Sequence, residues 1–355
     1  MKLAKLTYVC SVILSLEGAT CCQNKWIVVT TIQYPTAQLK KLASIPDWRL
    51  VVIGDKKTPT DWHLDNCDYL SPDAQLSLGY KLALLLPWNH YGRKNIGYLY
   101  AIAHGATLIY DTNADNEPID GLHPLSNFET LPVLRSNDIC VNIYHYFGQP
   151  AVWPRGYPLN LIHASHLYII DKPQRHEIGI EQCMVDSDPD VDAIYRLTHT
   201  GPVFFTPQSS CSISGSNFCP FNSQNTFIHK KAFFTLYLPS FVSMRVSDIW
   251  RGYIAQKLIR FMHLTLGFSS ANAIQLRNNH DLMHDFKLEQ DLYFKSMGLI
   301  TFLDQWAIED VSGPFQNMKQ LLTDLIRENF LQAEELPLCN AWFEDLEAIG
   351  YKPLS

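Results

Sequence analysis

The sequence predicts an α/β fold: a mostly parallel sheet with helices on both faces, followed by a helical C-terminal extension. Three observations predict it. The runs over 25–32, 48–55 and 107–110 are continuously apolar and rich in β-branched residues, the pattern of strands covered on both faces. Segments of helical period lie between these runs, which gives the alternation of a doubly covered sheet. The tail from Glu289 to Tyr351 carries helical stripes and almost no strand-like composition. A chain of 355 residues, 47% of them hydrophobic, is long enough to bury a large core.

Taken in order, Lys25–Ile32 reads as the first strand, and Thr36–Leu42 as a short helix after the turn at Pro35. Trp48–Asp55 is a second buried strand, and Lys56–Pro59 a polar loop. A helix is expected around Asp73–Leu86, stopped near Pro87, and another from near Arg93 to Gly105. The strand Thr107–Tyr110 then delivers an acidic turn, Asp111–Asn116. The middle of the chain, 141–243, is rich in Pro and aromatics, with short strand-like runs and no long helical period. In the tail, Leu292, Leu299, Phe302 and Leu303, then Met318, Leu321, Leu322 and Leu325, then Trp342, Leu346 and Ile349, mark three core-facing helices.

An acidic turn at a strand's carboxyl end is where an α/β sheet holds a charged ligand. Asp111, Asn113 and Asp115 offer oxygen ligands suited to a hard cation, Mg²⁺ or Mn²⁺, and a cation there would hold a diphosphate. Asn113 and Ala114 stand where more acid is expected. No GxGxxG follows the first strand and no GxxxxGK[ST] occurs, which disfavours dinucleotide-binding and P-loop sites. The net charge of −7 without a basic run gives no reason to expect nucleic-acid binding.

Lys2 and Lys5 precede an apolar core, Leu6–Leu16, of a length that suits a signal peptide or a short signal anchor better than a full membrane span. Any membrane contact is expected only through that segment if it stays uncleaved. The organisation expected is a signal segment over 1–22, an α/β domain over 23–288 and a helical extension over 289–355 packed on it. None of the nine cysteines forms a CxxC pair; Cys211 and Cys219 flank a Ser/Gly-rich loop and are the best candidates for a local disulfide.

Several long motifs then carry a family resemblance. Lys25–Val29, Gly54–Trp62, Arg93–Leu99, His145–Gln149, Val152–Gly156, Asp188–Arg196 and Ser247–Tyr253 resemble the STELLO-type glycosyltransferases, collinearly from about residue 25 to 354. The resemblance implies a GT-A-like, Rossmann-type fold, a secretory or Golgi setting with a Golgi-lumenal or secreted product, and a role in glycan or cell-wall assembly, alone or with other glycan-synthesis proteins. It implies a nucleotide sugar as donor, most simply a UDP-sugar, a glycan or other hydroxyl acceptor, and Mn²⁺ or Mg²⁺ as cofactor.

On that reading Asp111, Asn113 and Asp115 hold the metal and diphosphate, with His280 as a late histidine ligand. Arg93 and Asn95 sit at a helix start, which favours anions, and contact the nucleotide. Thr30 and Asp55 end the first two strands and contact the nucleoside. Asp248, at the start of a helix, is the candidate base for an acceptor hydroxyl, or the helix cap together with Ser247. Arg251 pairs with a phosphate or a carboxylate. Asp190 and Asp192, two apart on one face, and Trp153 with Arg155 in a Pro-rich loop, are candidate substrate contacts. A second reading keeps the same fold without catalysis, as a regulatory or binding protein of glycan synthesis; Asn113 and Ala114 favour it. A sugar nucleotidyltransferase would need a Gly-rich basic loop after the first strand, which Thr31–Pro35 does not supply.

Overall fold

The computed structural model describes residues 24–164, 168–276, 281–308 and 313–353. The expected N-terminal signal segment and His280 lie outside them. The chain begins with β1 (Lys25–Thr30), α1 (Ala37–Ala43), β2 (Trp48–Ile53), β3 (Cys67–Leu70), α2 (Pro72–Ser77), α3 (Lys81–Leu85), α4 (Lys94–Ala103) and β4 (Leu108–Thr112). It continues through β5 (Asn116–Pro118), β6 (Phe128–Ser136), α5 (Ile143–Tyr146), β7 (Tyr168–Asp186), α6 (Ala193–Thr198), β8 (Cys211–Ile213) and β9 (Asn225–His229). The last part is α7 (Ser247–Phe261), β10 (Leu264–Gln275), α8 (Leu282–Leu288), α9 (Gln290–Gln305), α10 (Pro314–Arg327) and α11 (Glu335–Ala348).

All ten strands form one sheet in the order β3-β2-β1-β4-β9-β7-β6-β8-β10-β5. The first four are parallel, with Val28 opposite both Val51 and Asp111. Alternation along β1 splits the core: Trp26 and Val28 face α4, while Ile27 and Val29 face Leu39 and Leu42 of α1. Helices thus cover both faces, and the α/β class expected from the sequence is borne out. Beyond β4 the pairing is mixed: β9 runs antiparallel to β4 and to β7, and β6 antiparallel to β7. Among the described residues between 141 and 243 no helix exceeds six residues except the 3-10 stretch Lys230–Leu236, so crossovers of the βαβ kind are scarce and strands return antiparallel.

Local chemistry explains the elements. Thr36 caps α1 by accepting from the Leu39 N–H, and Ser71 caps α2 in the same way. The single helix expected over 73–86 is two, because Gly79 adopts φ +75° between them. Helix α4 rides close on the sheet: a Cβ on Gly97 would collide with the Ile53 and Val28 side chains. The tail helices share the α4-side core through Leu299, Leu321 and Trp342, all essentially unexposed. Helix α11 is pinned at both ends. Glu335 accepts from the Tyr237 hydroxyl at 2.5 Å, and Asp345 accepts from the Lys81 and Leu82 N–H groups at 2.9 Å, capping α3. Cys211 and Cys219 are separate buried thiols, not the expected disulfide, and burial raises both above the usual thiol range. Among the described residues, no helix is long and apolar enough to cross a membrane.

Candidate active site

Two adjoining cavities open at the carboxyl ends of the parallel strands. The first, about 250 Å³, is lined by Thr30 and Thr31 at the end of β1, Gly54 and Asp55 after β2, and Tyr91 and Arg93 before α4. Asp55 acts there as an organiser. Its carboxylate accepts from the Lys56, Asn89 and His90 N–H groups at 2.6, 2.8 and 3.2 Å and so ties the end of β2 to the loop before α4. Arg93 lines the wall with its guanidinium donating to Gln75 Oε1 and to the carbonyls of Ala83 and Leu86. It also stacks on Trp88 at 3.7 Å. Burial brings Arg93 down to about 10, partly offset by Asp55. Asn95 does not reach the cavity: its amide exchanges two hydrogen bonds with the Leu238 backbone and holds α4 against that segment.

The second cavity, about 190 Å³, is lined by Asn113, Asp115, Arg155, Asp190, Gln224, Arg245, Asp248 and Gln275. It touches the first through Tyr91, whose hydroxyl lies 3.4 Å from Asn113 Oδ1. Met244 and Arg245, neighbours in sequence, line one cavity each.

Asp111 takes no part in either wall. Strand β4 extends two residues into the expected turn, to Thr112, and Asp111 pairs in register with Thr226 of β9. Its carboxylate is fully buried, 2.5 Å from Lys94 Nζ and 3.1 Å from Arg251. With both oxygens facing side-chain cations, Asp111 is an interior counter-ion where a metal ligand was expected. Burial pushes Lys94 below its ordinary range against the pull of Asp111, whereas for Arg251 burial is outweighed only by Asp111, Tyr98 and Asp248 acting together, which raise it. Arg251 also donates to Ser223 Oγ at 2.7 Å, so it serves this ion cluster instead of a substrate.

What remains of the acidic turn faces the cavity. Asp115 accepts from Gln275 Nε2 at 2.8 Å, and Asn113 contributes its carbonyl. Among the described residues no three His, Cys, Asp or Glu side chains form a metal-holding group. One carboxylate and one carbonyl fit a divalent cation that takes the rest of its shell from substrate phosphates and water, which is the habit of Mg²⁺.

Arg155 joins two carboxylates. It meets Asp190 at 2.7 and 2.8 Å and Asp248 at 3.0–3.2 Å, with all three side chains almost completely buried. Burial opposes its charge, and Asp190 with Asp248 more than restores it, so Arg155 lies well above its ordinary range. Asp248 also accepts from the Ser223 N–H at 3.2 Å. The residue at the helix N-cap is Val246, so Asp248 and Ser247 are inside the first turn of α7 instead of capping it. Trp153 and Asp192 sit away from both cavities and bond each other. Of the expected site, then, Asn113, Asp115, Arg155, Asp190 and Asp248 converge on one cavity, and Thr30, Asp55 and Arg93 on its neighbour. Tyr91, Gln224, Arg245 and Gln275 were missed. Tyr91 and Arg245 stand within three residues of Arg93 and Asp248, which is a usable signal; the two glutamines carry none.

Residues 245–354 match the family model described as STELLO glycosyltransferases. Two proteins of Arabidopsis thaliana, "Probable glycosyltransferase STELLO1" and "Probable glycosyltransferase STELLO2", are 35% and 33% identical to this chain over 351 residues, 93% of the chain. The chain spans 45% of the length of each of these relatives. Among solved structures, S. aureus TarS 1–349 in complex with UDP-GlcNAc has a TM-score of 0.42 and 11% identity, covering 92% of this chain and 82% of that one. Glucosyl-3-phosphoglycerate synthase from Mycobacterium tuberculosis, in complex with Mn²⁺ and UDP-glucose, has a TM-score of 0.39 and 9% identity, covering 81% of each chain. The resemblance carried by the motifs is borne out by the family model and the curated relatives.

Proposed function

We propose, for a chain that is STELLO-like along 93% of its length, that it transfers a sugar from a nucleotide sugar, a UDP-sugar, to a glycan or other hydroxyl acceptor. The observation that carries this reading is the adjacency of the two cavities at the carboxyl ends of β1, β2 and β4, where an α/β sheet takes its ligand. The nucleoside occupies the first cavity, against Thr30, Thr31 and the loop that Asp55 organises. The diphosphate and sugar extend past Tyr91 and Asn113 into the second.

The second cavity is lined by three carboxylates, Asp115, Asp190 and Asp248, against two guanidiniums, Arg155 and Arg245. That balance does not by itself favour a diphosphate, and a divalent cation would correct it. Mn²⁺ or Mg²⁺ held by the oxygens of Asp115 and Asn113 would supply neutralisation of the leaving diphosphate. The chain's own groups position the reactants: Arg155 fixes Asp248 and Asp190 relative to each other, and Asp248 takes the acceptor proton if the reaction inverts. The setting proposed is the secretory pathway, Golgi lumen or outside, with glycan-synthesis proteins as partners; the motif resemblance and the apolar segment 6–16 support it.

A second reading, a regulatory protein without transferase chemistry, is favoured by Asn113 and Ala114 in the turn. Calorimetric titration of UDP and UDP-sugars into residues 23–355, with and without Mn²⁺, separates the two. Metal-dependent binding that Asp115→Ala abolishes supports the donor site. A folded protein that binds no nucleotide under any metal condition supports the second reading.

A further inference from the structure

We propose that the cleft beside α6 is a subsite for a neutral sugar ring of the acceptor glycan, an inference that rests on the glycosyltransferase reading. The cleft measures about 330 Å³ and is lined by Asp188, Tyr195, Arg196, His199 and Val203 among others. Its size falls at the lower end of the roughly 300–1,000 Å³ of small-ligand sites.

The chemistry of the lining is that of a carbohydrate. The rings of Tyr195 and His199, one helical turn apart, stack at 4.4 Å with their planes within 4°. They form a parallel stack whose outer ring face serves as the shelf, and both rings line the cleft. Trp153 stands edge-on to both, at 5.2 Å and 90° to Tyr195 and 6.0 Å and 87° to His199. A pyranose presents an apolar C–H face that suits such a shelf, and its ring edge carries pairs of hydroxyls. Next to the shelf a carboxylate and a guanidinium are already paired: Arg196 bonds Asp188 and donates to the Pro189 carbonyl at 2.9 Å. Arg196 Nε has no hydrogen-bond partner among the described residues. A mutually neutralised Asp–Arg pair offers donors and acceptors without net charge, which selects a neutral polyol over an anion.

The position fits an acceptor. Asp188 and Asp190 flank a single proline; Asp188 lines this cleft and Asp190 lines the second cavity. Gln224 lines that cavity and reaches the Asp188 carbonyl at 3.4 Å. A glycan resting on the shelf would run over this three-residue divide toward the sugar of the donor.

The test uses the protein of residues 23–355 and three neutral tetrasaccharides offered separately: β-1,4-glucan, β-1,4-xylan and β-1,4-mannan oligomers. Saturation-transfer difference NMR reads binding ring by ring, and UDP titration with Mn²⁺ is run on the same samples. The expected result is transfer to at least one oligomer, strongest at one ring. The affinity should fall roughly tenfold in His199→Ala, whose side chain is exposed, and more in Tyr195→Ala, with UDP affinity unchanged in both. Saturation transfer to none of the three from a folded protein that binds UDP overturns the subsite and leaves the donor reading standing. Transfer that survives both substitutions also overturns it. If UDP does not bind, the donor reading falls, and the oligosaccharide arm still decides the subsite.

Discussion

The indole N–H of Trp153 donates to Asp192 Oδ2 at 2.7 Å, while Oδ1 of the same carboxylate caps α6 by accepting from the Tyr195 N–H at 2.8 Å. One buried Asp therefore sets both the indole that stands edge-on to the aromatic stack and the helix that carries the stack. Neither Trp153 nor Asp192 touches a cavity itself, although the sequence marks both as substrate contacts.

That arrangement has a pH signature. Burial raises Asp192 to about 6, against the Tyr195 and Trp153 hydrogen bonds and with help from Glu289 and Asp190. Its ordinary value is 3.8, so the folded state holds the proton more tightly than the unfolded chain. The stabilisation is full below that ordinary value and lost as pH rises through about 6. Asp192→Asn keeps a capping side chain and removes the titration. Relative to the natural chain, the variant is expected to gain on the order of 1–3 kcal/mol between pH 4 and pH 7.5, read by urea unfolding across that range. A stability difference that stays flat with pH would count against it.

Asp111 and Asp115 are predicted to part company under mutation. Asp111→Asn removes the counter-charge of buried Lys94 and Arg251 and should cost about 3–5 kcal/mol of stability. Asp115→Asn removes a partly buried carboxylate with one side-chain partner, so stability should change by no more than about 0.5 kcal/mol. Metal-enhanced UDP binding should be lost with Asp115→Asn alone. Thermal unfolding paired with calorimetry checks both, and equal destabilisation by the two variants contradicts the division.

Gly97→Ala adds a methyl group where α4 meets Val28 and Ile53. Overpacking there should destabilise by about 1–3 kcal/mol. Because α4 follows directly on the Tyr91–Arg93 turn, UDP affinity should fall with it. Chemical denaturation and UDP titration of the variant give both numbers; unchanged stability would mean that the helix shifts freely.

The region after 288 is proposed as part of the same folding unit. Trp342 is unexposed and donates its indole N–H to the Phe234 carbonyl. Trp342→Ala should cost about 3–5 kcal/mol. A chain ending at 288 would expose the Leu299, Leu321 and Trp342 contacts of the core and is expected to be insoluble or molten, as checked by near-ultraviolet circular dichroism.

The parallel half of the sheet was legible because continuous β-branched runs such as 25–30 admit few other readings, and the tail helices because their stripes keep one period for three turns. Strand β3 was not foreseen: Cys67–Leu70 is four residues with no fully apolar run. The register of β4 decided the fate of Asp111. A two-residue extension of the strand, hidden from the hydrophobic pattern because Asp111 is a poor strand marker and ends the apolar run, carries that carboxylate inside. Asp115, only four residues on, falls outside. Arg155 was marked as a substrate contact, yet its partners Asp190 and Asp248 lie 35 and 93 residues away, a separation no local pattern encodes.

Those separations also bear on how the protein is made. The wall of the second cavity takes Asn113 and Asp115 from the first third of the chain and Gln275 from the last third, and the Asp115–Gln275 bond closes 160 residues. During synthesis, the β1–β4 segment can collapse as soon as it emerges, since its contacts are close in sequence. The cavity stays unassembled until α7 and β10 have left the ribosome. A nascent chain is thus expected to bring together the β1–β4 walls of the nucleoside pocket early, while Met244 of that pocket and the whole place for the sugar arrive late, so that the transfer site comes into being only with nearly the whole polypeptide.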